Sequence, residues 1–365
     1  MLDHLPLPLL LLIFLICGTV IWFAGIQLSK STDALDDRLH LGSALGGLIV
    51  LAIATNLPEL VITITAAASG SVEVAVGNIL GGIALQTVVI VILDRFGKHK
   101  KGAPPLTYRA ASLTLVVEAL VVIAVLAVVV AGTQLPKSLD VLRLTPQAVL
   151  IVAIWFIGLL LVRRAGKHLP WHEGGQAPDA SPHRSGHRTR SSTSSSSGSA
   201  GSQKTQHQPG LGRTVAVFAG AALATLVAGF FLEQSGDSAS SQVGLSGLLF
   251  GATVLALATS LPEISTGLQA IRQGDDNLAI SDIFGGNAFL PVLFLLAGLI
   301  SGQAVLPQAK SGDIYLTAIA ILLTLVYALG LLFRPKQRVL GMGVDSLTVL
   351  VLYVLGIGGL FAVTA

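Results

Sequence analysis

A proline followed by a glutamate interrupts a long apolar run, and the chain carries this combination twice. The first copy reads Leu51-Ala52-Ile53-Ala54-Thr55-Asn56-Leu57-Pro58-Glu59-Leu60, and the second Leu255-Ala256-Leu257-Ala258-Thr259-Ser260-Leu261-Pro262-Glu263-Ile264, an offset of 204 residues. The same offset carries Gly77-Asn78-Ile79-Leu80-Gly81-Gly82 onto Ser281-Asp282-Ile283-Phe284-Gly285-Gly286. Proline cannot donate an N–H and clashes with the preceding turn, so a helix breaks or kinks at each copy. A carboxylate at membrane depth costs at least about 2.5–3.5 kcal/mol on insertion scales. A chain that accepts this twice must fold around a polar centre inside a hydrocarbon-facing shell.

Composition agrees. Hydrophobic residues make up 53% of the 365 and charged residues 11%, with a mean hydropathy of +0.80, against roughly 25% charge in a soluble domain. The apolar residues come in runs of about 20, the length that spans a bilayer as helix. The reading is an all-α polytopic membrane protein. Its net charge of +3 speaks for topology within a lipid bilayer and not for nucleic acid, and no protein partner is implied. A single cysteine, Cys17, excludes an intramolecular disulfide framework and a cysteine metal cluster. No nucleophile, cofactor motif or metal triad points to an enzyme; the only cofactors expected are transported cations.

Spans are predicted at about 5–28, 41–69, 72–94, 109–131 and 146–165, then 211–232, 243–272, 277–302, 312–333 and 344–364. The first is read as a retained helix and not a signal peptide, because no Lys or Arg precedes it and no Ala-x-Ala site follows. Residues 166–210 are rich in Ser, His, Gly, Gln and basic residues, too polar to build a core, and are read as a disordered linker. Four of its five histidines, at 168, 172, 183 and 187, are read as solvated. The layout is thus 1–165 as one five-helix repeat, 166–210 as linker and 211–365 as a second repeat. Five being odd, the second half enters the membrane from the opposite side. The expected fold is ten transmembrane helices in two inverted five-helix repeats with helices 2 and 7 broken. Lysines and arginines test this: 19 of the 22 fall in loops on one side, and only Lys137, Arg143 and Lys310 on the other. The positive-inside rule then puts 166–210 in the cytoplasm and both termini outside, in a cell-membrane protein.

Asn56 and Ser260 each stand three residues before a glutamate, with proline between, which also fits an N-cap and capping box. A glutamine would serve that purpose nearly as well, so the repeated glutamate argues for a use of the charge. Broken helices expose backbone carbonyls and free Thr55, Thr259, Asn56 and Ser260 to offer oxygens beside Glu59 and Glu263. No histidine falls in a predicted span. An all-oxygen site suits a hard cation such as Ca²⁺ or Na⁺ and not copper or zinc.

The paired Ala-Thr-x-Leu-Pro-Glu elements, each followed by a helix bearing Gly and Asn, resemble the two alpha repeats of the cation/calcium exchanger superfamily. The resemblance spans both halves and leaves out 166–210. It implies that Glu59 and Glu263 are the central metal ligands, and that Thr55, Thr259, Asn56 and Ser260 lend oxygens to the cation. It also marks departures. The family's Gly-Ser-Asn is here Gly81-Gly82-Ile83 and Gly285-Gly286-Asn287, and the Asn or Asp one turn later is here Gln86 and Leu290. Gln86 and Asn287 complete the implied cation-binding set, whereas Gly82, Gly286 and Leu290 offer no side-chain oxygen.

Two further acids stand out. Asp282 takes the place of Asn78, and Glu118 lies in helix 4 opposite Leu322 in the other half. Each is read either as a proton-relay group or as a packing carboxylate; Glu73 is read as interfacial. The function expected is a secondary antiporter exchanging Ca²⁺ for H⁺, or for Na⁺, by alternating access. A cation channel and a degenerate, non-transporting relative are the alternatives.

Overall fold

The computed structural model describes residues 2, 4–39, 46–70, 72–97, 102–110, 112–135, 145–166, 211–243 and 256–364. The predicted linker 166–210 therefore lies outside the described residues, apart from Gly166. Helices account for nearly all of what is described: α1 (Leu7–Leu39), a π turn (Gly46–Leu51), α2 (Ala52–Thr55), α3 (Leu57–Ala68), α4 (Val72–Phe96), α5 (Leu106–Arg109), α6 (Leu113–Thr133) and α7 (Pro146–Ala165). The second half supplies α8 (Leu211–Val243), α9 (Ala256–Thr259), α10 (Leu261–Gln273), α11 (Asp276–Phe289), α12 (Leu293–Ser301), α13 (Ser311–Phe333) and α14 (Val344–Thr364). Among the described residues, seven helices are long and apolar enough to cross a membrane, or eight when the pair bent at Asn56 counts as one span; Val344–Leu360 is a shorter apolar helix. The chain is an integral multi-pass membrane protein.

Several boundaries differ from expectation. α1 and α8 continue to Leu39 and Val243, about three turns past the predicted ends at 28 and 232. The added turns are packed and not solvated: Ser29, Ser31, Thr32 and Leu35 of α1 and Ser235, Ser238 and Ala239 of α8 are buried, and Ser31 satisfies its hydroxyl within the helix by donating to Gln27 O at 2.6 Å. α6 begins at 113 and not 109, because Ser112 caps it by accepting from Thr114 N at 3.3 Å. The eighth predicted span is interrupted by a 3₁₀ turn at Leu290–Val292, where Pro291 cannot continue the α ladder. The all-α reading also misses a small hairpin, Arg338–Val339 with Met342–Gly343, closed by Leu340 and Gly341 at φ 53° and 84°. Two consecutive positive φ values match the hand of a tight hairpin turn.

α4 and the Asp276–Ser301 stretch form the central layer, 72% buried along their most apolar stretches, against 28% for Leu7–Thr32 and 22% for Pro146–Ala165. The outer helices present Leu15, Phe23, Phe156, Leu160 and Leu223 outward, as lipid-facing surfaces do. α1 and α8 lie along each other, and each reaches into the opposite half: α1 packs on α10, and α8 packs on α3. Glycine makes both contacts possible. A Cβ at Gly25 would lie 3.2 Å from Pro262 O, and one at Gly229 would lie 2.6 Å from Pro58 Cγ. Gly25 and Gly229 are themselves 204 residues apart. Small residues permit this approach between membrane helices.

At one end of the bundle the two halves are clasped by polar bonds. Buried Asp94 accepts from Leu106 N at 2.8 Å and from Gly343 N at 2.6 Å. Thr107 donates to Asp345 at 2.5 Å, Arg334 donates to Tyr108 O at 3.1 Å, and Arg338 donates to Ala103 O. Asp94→Ala leaves two buried N–H groups without an acceptor, at about 1–3 kcal/mol each. The variant is expected to unfold at a clearly lower temperature in detergent; a melting profile identical to wild type would refute the clasp.

Candidate functional site

The first Pro-Glu element is a bent span. The segments Ile49–Thr55 and Leu57–Ala68 meet at 57° across Asn56, and the π turn Gly46–Leu51 leads into the bend. Single π turns of this kind concentrate at functional sites. The second element repeats the arrangement, with α9 ending at Thr259 and α10 starting after Ser260. Neither Asn56 nor Ser260 caps the following helix through its side chain. The capping-box alternative is thus not what the glutamates serve. Asn56 Nδ2 instead donates back to Ala52 O at 2.8 Å, and its Oδ1 accepts from Gln86 Nε2 at 3.0 Å. Both bonds hold the amide across the break.

The acids converge there. Glu59, Glu263 and Asp282 are all buried, at 4%, 1% and 0% exposure, and Glu59 and Asp282 lie within electrostatic reach of Glu263. Neither carboxylate oxygen of Glu263 has a hydrogen-bond partner. The Thr55 hydroxyl beside it has three other acceptors within reach, Leu51 O, Ala52 O and Asp282 Oδ1, at 3.2 Å each. Asp282 Oδ2 accepts from Thr266 at 2.6 Å. Asp282 therefore ties the broken helix of the first half to α10 of the second. Thr259 is part-buried and Ser260 is buried at the second break.

The two amides of the implied cation set share one orientation logic. Gln86 donates to Asn56, and Asn287 Nδ2 donates to Thr87 Oγ1 at 2.9 Å. Their carbonyl oxygens, Gln86 Oε1 and Asn287 Oδ1, receive nothing. Donors are thus turned into the protein while acceptors remain unused, the polarity a cation requires. Among the described residues no three Asp, Glu, His or Cys side chains close around one metal-sized point, so two carboxylates and neutral oxygens are the available donor set.

Steric contacts explain one departure from the family pattern. A Cβ at Gly286 would fall 2.6 Å from Asn56 Nδ2, whereas one at Gly82 would meet nothing within 4 Å. Glycine at 286 is required by the Asn56 amide; at 82 no contact accounts for it. Leu290 is fully buried where the other half has Gln86. Thr266 and Thr87 were not singled out by sequence. Each was visible as a polar residue in an apolar helix, three residues after Glu263 or next to Gln86. Glu118 is buried in α6 with neither oxygen bonded, and Glu73 is paired with Lys310 at 2.7 Å on the exposed surface.

A membrane bundle whose two proline-broken helices bring buried acids together is built as a secondary transporter of ions is built. A model of the sodium/calcium exchanger protein family matches residues 9–175 and 213–361. CaxA of Alkalimonas amylolytica, named as an antiporter, is 27% identical over 87% of this chain and 90% of its own length. The inner membrane protein YrbG of Escherichia coli is 24% identical over 82% of this chain and 81% of its own. A solved structure of the sodium-calcium exchanger NCX_Mj superposes with a TM-score of 0.66 at 15% identity, covering 97% of this chain and 99% of that one. The chain belongs to the sodium/calcium exchanger family and is a cation antiporter.

Proposed function

We propose that this antiporter exchanges Ca²⁺ for protons by alternating access, with Glu59 and Glu263 as the ligands both ions share. The observation that carries the reading is the unused acceptor set: both Glu263 oxygens, Gln86 Oε1 and Asn287 Oδ1, buried and without donors. Ca²⁺ takes six to eight oxygens at about 2.3–2.6 Å. Glu59, Glu263, Gln86 and Asn287 would supply side-chain oxygens, with Thr55, Asn56, Thr259 and Ser260 adding backbone or side-chain oxygens at the breaks. One Ca²⁺ neutralises two carboxylates, and so do two protons. Each form lifts the penalty of burying the pair, and the two exclude one another.

The sodium alternative needs further neutral oxygens. Gly82, Gly286 and Leu290 offer none from their side chains, and both Asp282 oxygens are held by Thr55 and Thr266. This favours protons as the counter-ion, with Asp282 as a proton-relay group beside the site. The same reading takes the protein as ten spans in two inverted repeats in the cell membrane, termini outside and 166–210 cytoplasmic. The one-sided lysines and arginines, the two-block family match and the reciprocal glycine contacts all favour it. No cofactor beyond the transported ions and no protein partner is required.

The test is Ca²⁺ flux in proteoliposomes under imposed gradients. Uptake is expected to follow a pH gradient and to ignore a sodium gradient at fixed pH. Sodium-driven uptake without pH dependence would overturn the proton assignment.

A further inference from the structure

α6 carries an acid that the cation site does not use. Glu118 is fully buried, with neither carboxylate oxygen bonded, and Ser281 of the adjoining α11 lies beside it. A charge there without a partner costs several kcal/mol, and a bound proton removes that cost. Leucine occupies the equivalent place in the other half, Leu322, so packing alone does not call for a carboxyl group.

Its depth is informative. The ion pair Arg109–Asp276, at 3.3 Å, marks the loop face where α6 and α11 both begin. Ser281 and Glu118 each lie five or six residues inward from Asp276 and Ser112, about 8–9 Å at the helical rise. The next residue of α11, Asp282, is already bonded to Thr55 and Thr266 at the central site. Glu118 therefore stands between the part-buried Arg109–Asp276 pair at the loop end of the helices and the acids of the cation site.

Other titratable groups on the elements packed against α6 do not take this place. α11 contributes Asp276, paired to Arg109, and Asp282. α13 contributes Asp313 and Tyr315 at its opposite end, and Tyr327, whose hydroxyl donates to Ser346 at 3.5 Å. α7 contributes Arg163 and Arg164 in its last turn; the turns Leu290–Val292 and Leu306–Gln308 contribute none.

Resting on the proton-coupled reading above, we propose that Glu118 is a proton-binding site in its own right, loaded from the Arg109–Asp276 face and discharging through the Ser281 hydroxyl toward the cation site. The Glu118 O–H gives its proton to Ser281 Oγ as the Ser281 O–H gives its own to an ionised carboxylate of the cation site, leaving Glu118 ionised and that carboxyl protonated. One proton advances, the hydroxyl is regenerated, and Glu118 is left to be reloaded from the loop face.

Infrared difference spectra of the reconstituted protein, with and without Ca²⁺ and across pH, read this directly. A protonated-carboxyl C=O band that responds to Ca²⁺ and pH is expected in wild type and missing in Glu118→Gln. In that variant Ca²⁺ binding at fixed pH should stay within about twofold, while proton-driven uptake falls by about tenfold or more. Ser281→Ala keeps the carboxyl and its band but is expected to slow proton-driven uptake, which holds the test open if Glu118→Gln assembles poorly. Unchanged bands in Glu118→Gln, a Glu118 band indifferent to Ca²⁺ and pH, or wild-type uptake in Ser281→Ala would each overturn the site. Wild-type flux that ignores a pH gradient would instead overturn the proton-coupled reading beneath it.

Discussion

Glu59→Gln and Glu263→Gln are each expected to abolish Ca²⁺ uptake into proteoliposomes while leaving a monodisperse and somewhat more heat-resistant protein. The loss follows from the donor set. Two carboxylates and neutral oxygens are what the described site offers a divalent ion, and removing one charge from a buried pairing costs about 3 kcal/mol or more, roughly a hundredfold in affinity. The gain in stability follows from the same burial. Glu59 and Asp282 sit within electrostatic reach of Glu263, and an ionised acid buried there opposes folding unless a cation or a proton neutralises it. Glutamine keeps the shape and removes that charge. Because neither Asn56 nor Ser260 uses its side chain to cap its helix, no capping box depends on the glutamate. Opposite signs for activity and stability are the mark of a functional site held at the expense of the fold. Wild-type uptake in either variant would sink the central assignment. A sharp fall in melting temperature would show that the charge serves the structure.

Much of this was legible in the chain. The breaks at Asn56 and Ser260 follow from proline's missing N–H, whatever surrounds it. The central burial of α4 and of the Asp276–Ser301 stretch follows from apolar runs that carry Gly, Asn and Gln where an outer helix would show only hydrocarbon to lipid. What sequence could not assign was which partner each polar side chain takes. Asn56 satisfies a local capping pattern, yet Gln86, thirty residues on, claims its oxygen. Asp282 was readable as relay or lock; that Thr55 and Thr266 converge on it from different halves is visible only in the fold. The glycine at 286 looked like a lost ligand. In the fold it is space that the Asn56 amide occupies. Glycine is frequent here, at 40 residues, and the offset that pairs Gly25 with Gly229 means little until both are seen against a proline.

Gly229→Ala is expected to be far more damaging than Gly25→Ala, although the two positions correspond in the repeat. At Gly229 the new methyl would lie 2.6 Å from Pro58 Cγ and 2.8 Å from its Cβ. A proline ring in the first turn of a helix has no rotamer to retreat into, so α8 and α3 must separate. Overpacking of this kind costs about 1–3 kcal/mol. The displaced segment is the one that carries Glu59, and a shift of about 1 Å at reacting groups is enough for roughly a hundredfold loss of rate. At Gly25 the nearest obstacle is Ser265 Oγ, the end of a side chain that can rotate, with Ser265 Cβ at 3.0 Å and Pro262 O at 3.2 Å behind it. Rotation gives up the bond from Ser265 to Pro262 O at 2.9 Å, a smaller loss of about 1 kcal/mol. Adding Ser265→Ala to Gly25→Ala removes the clashing oxygen and should restore much of the melting temperature and uptake. No single companion change at Pro58 does the same for Gly229→Ala, because the proline is what breaks the helix. Equal damage from the two alanines, or no recovery in the Gly25→Ala, Ser265→Ala pair, would mean that these glycines do not set how closely α1 and α8 approach the broken helices.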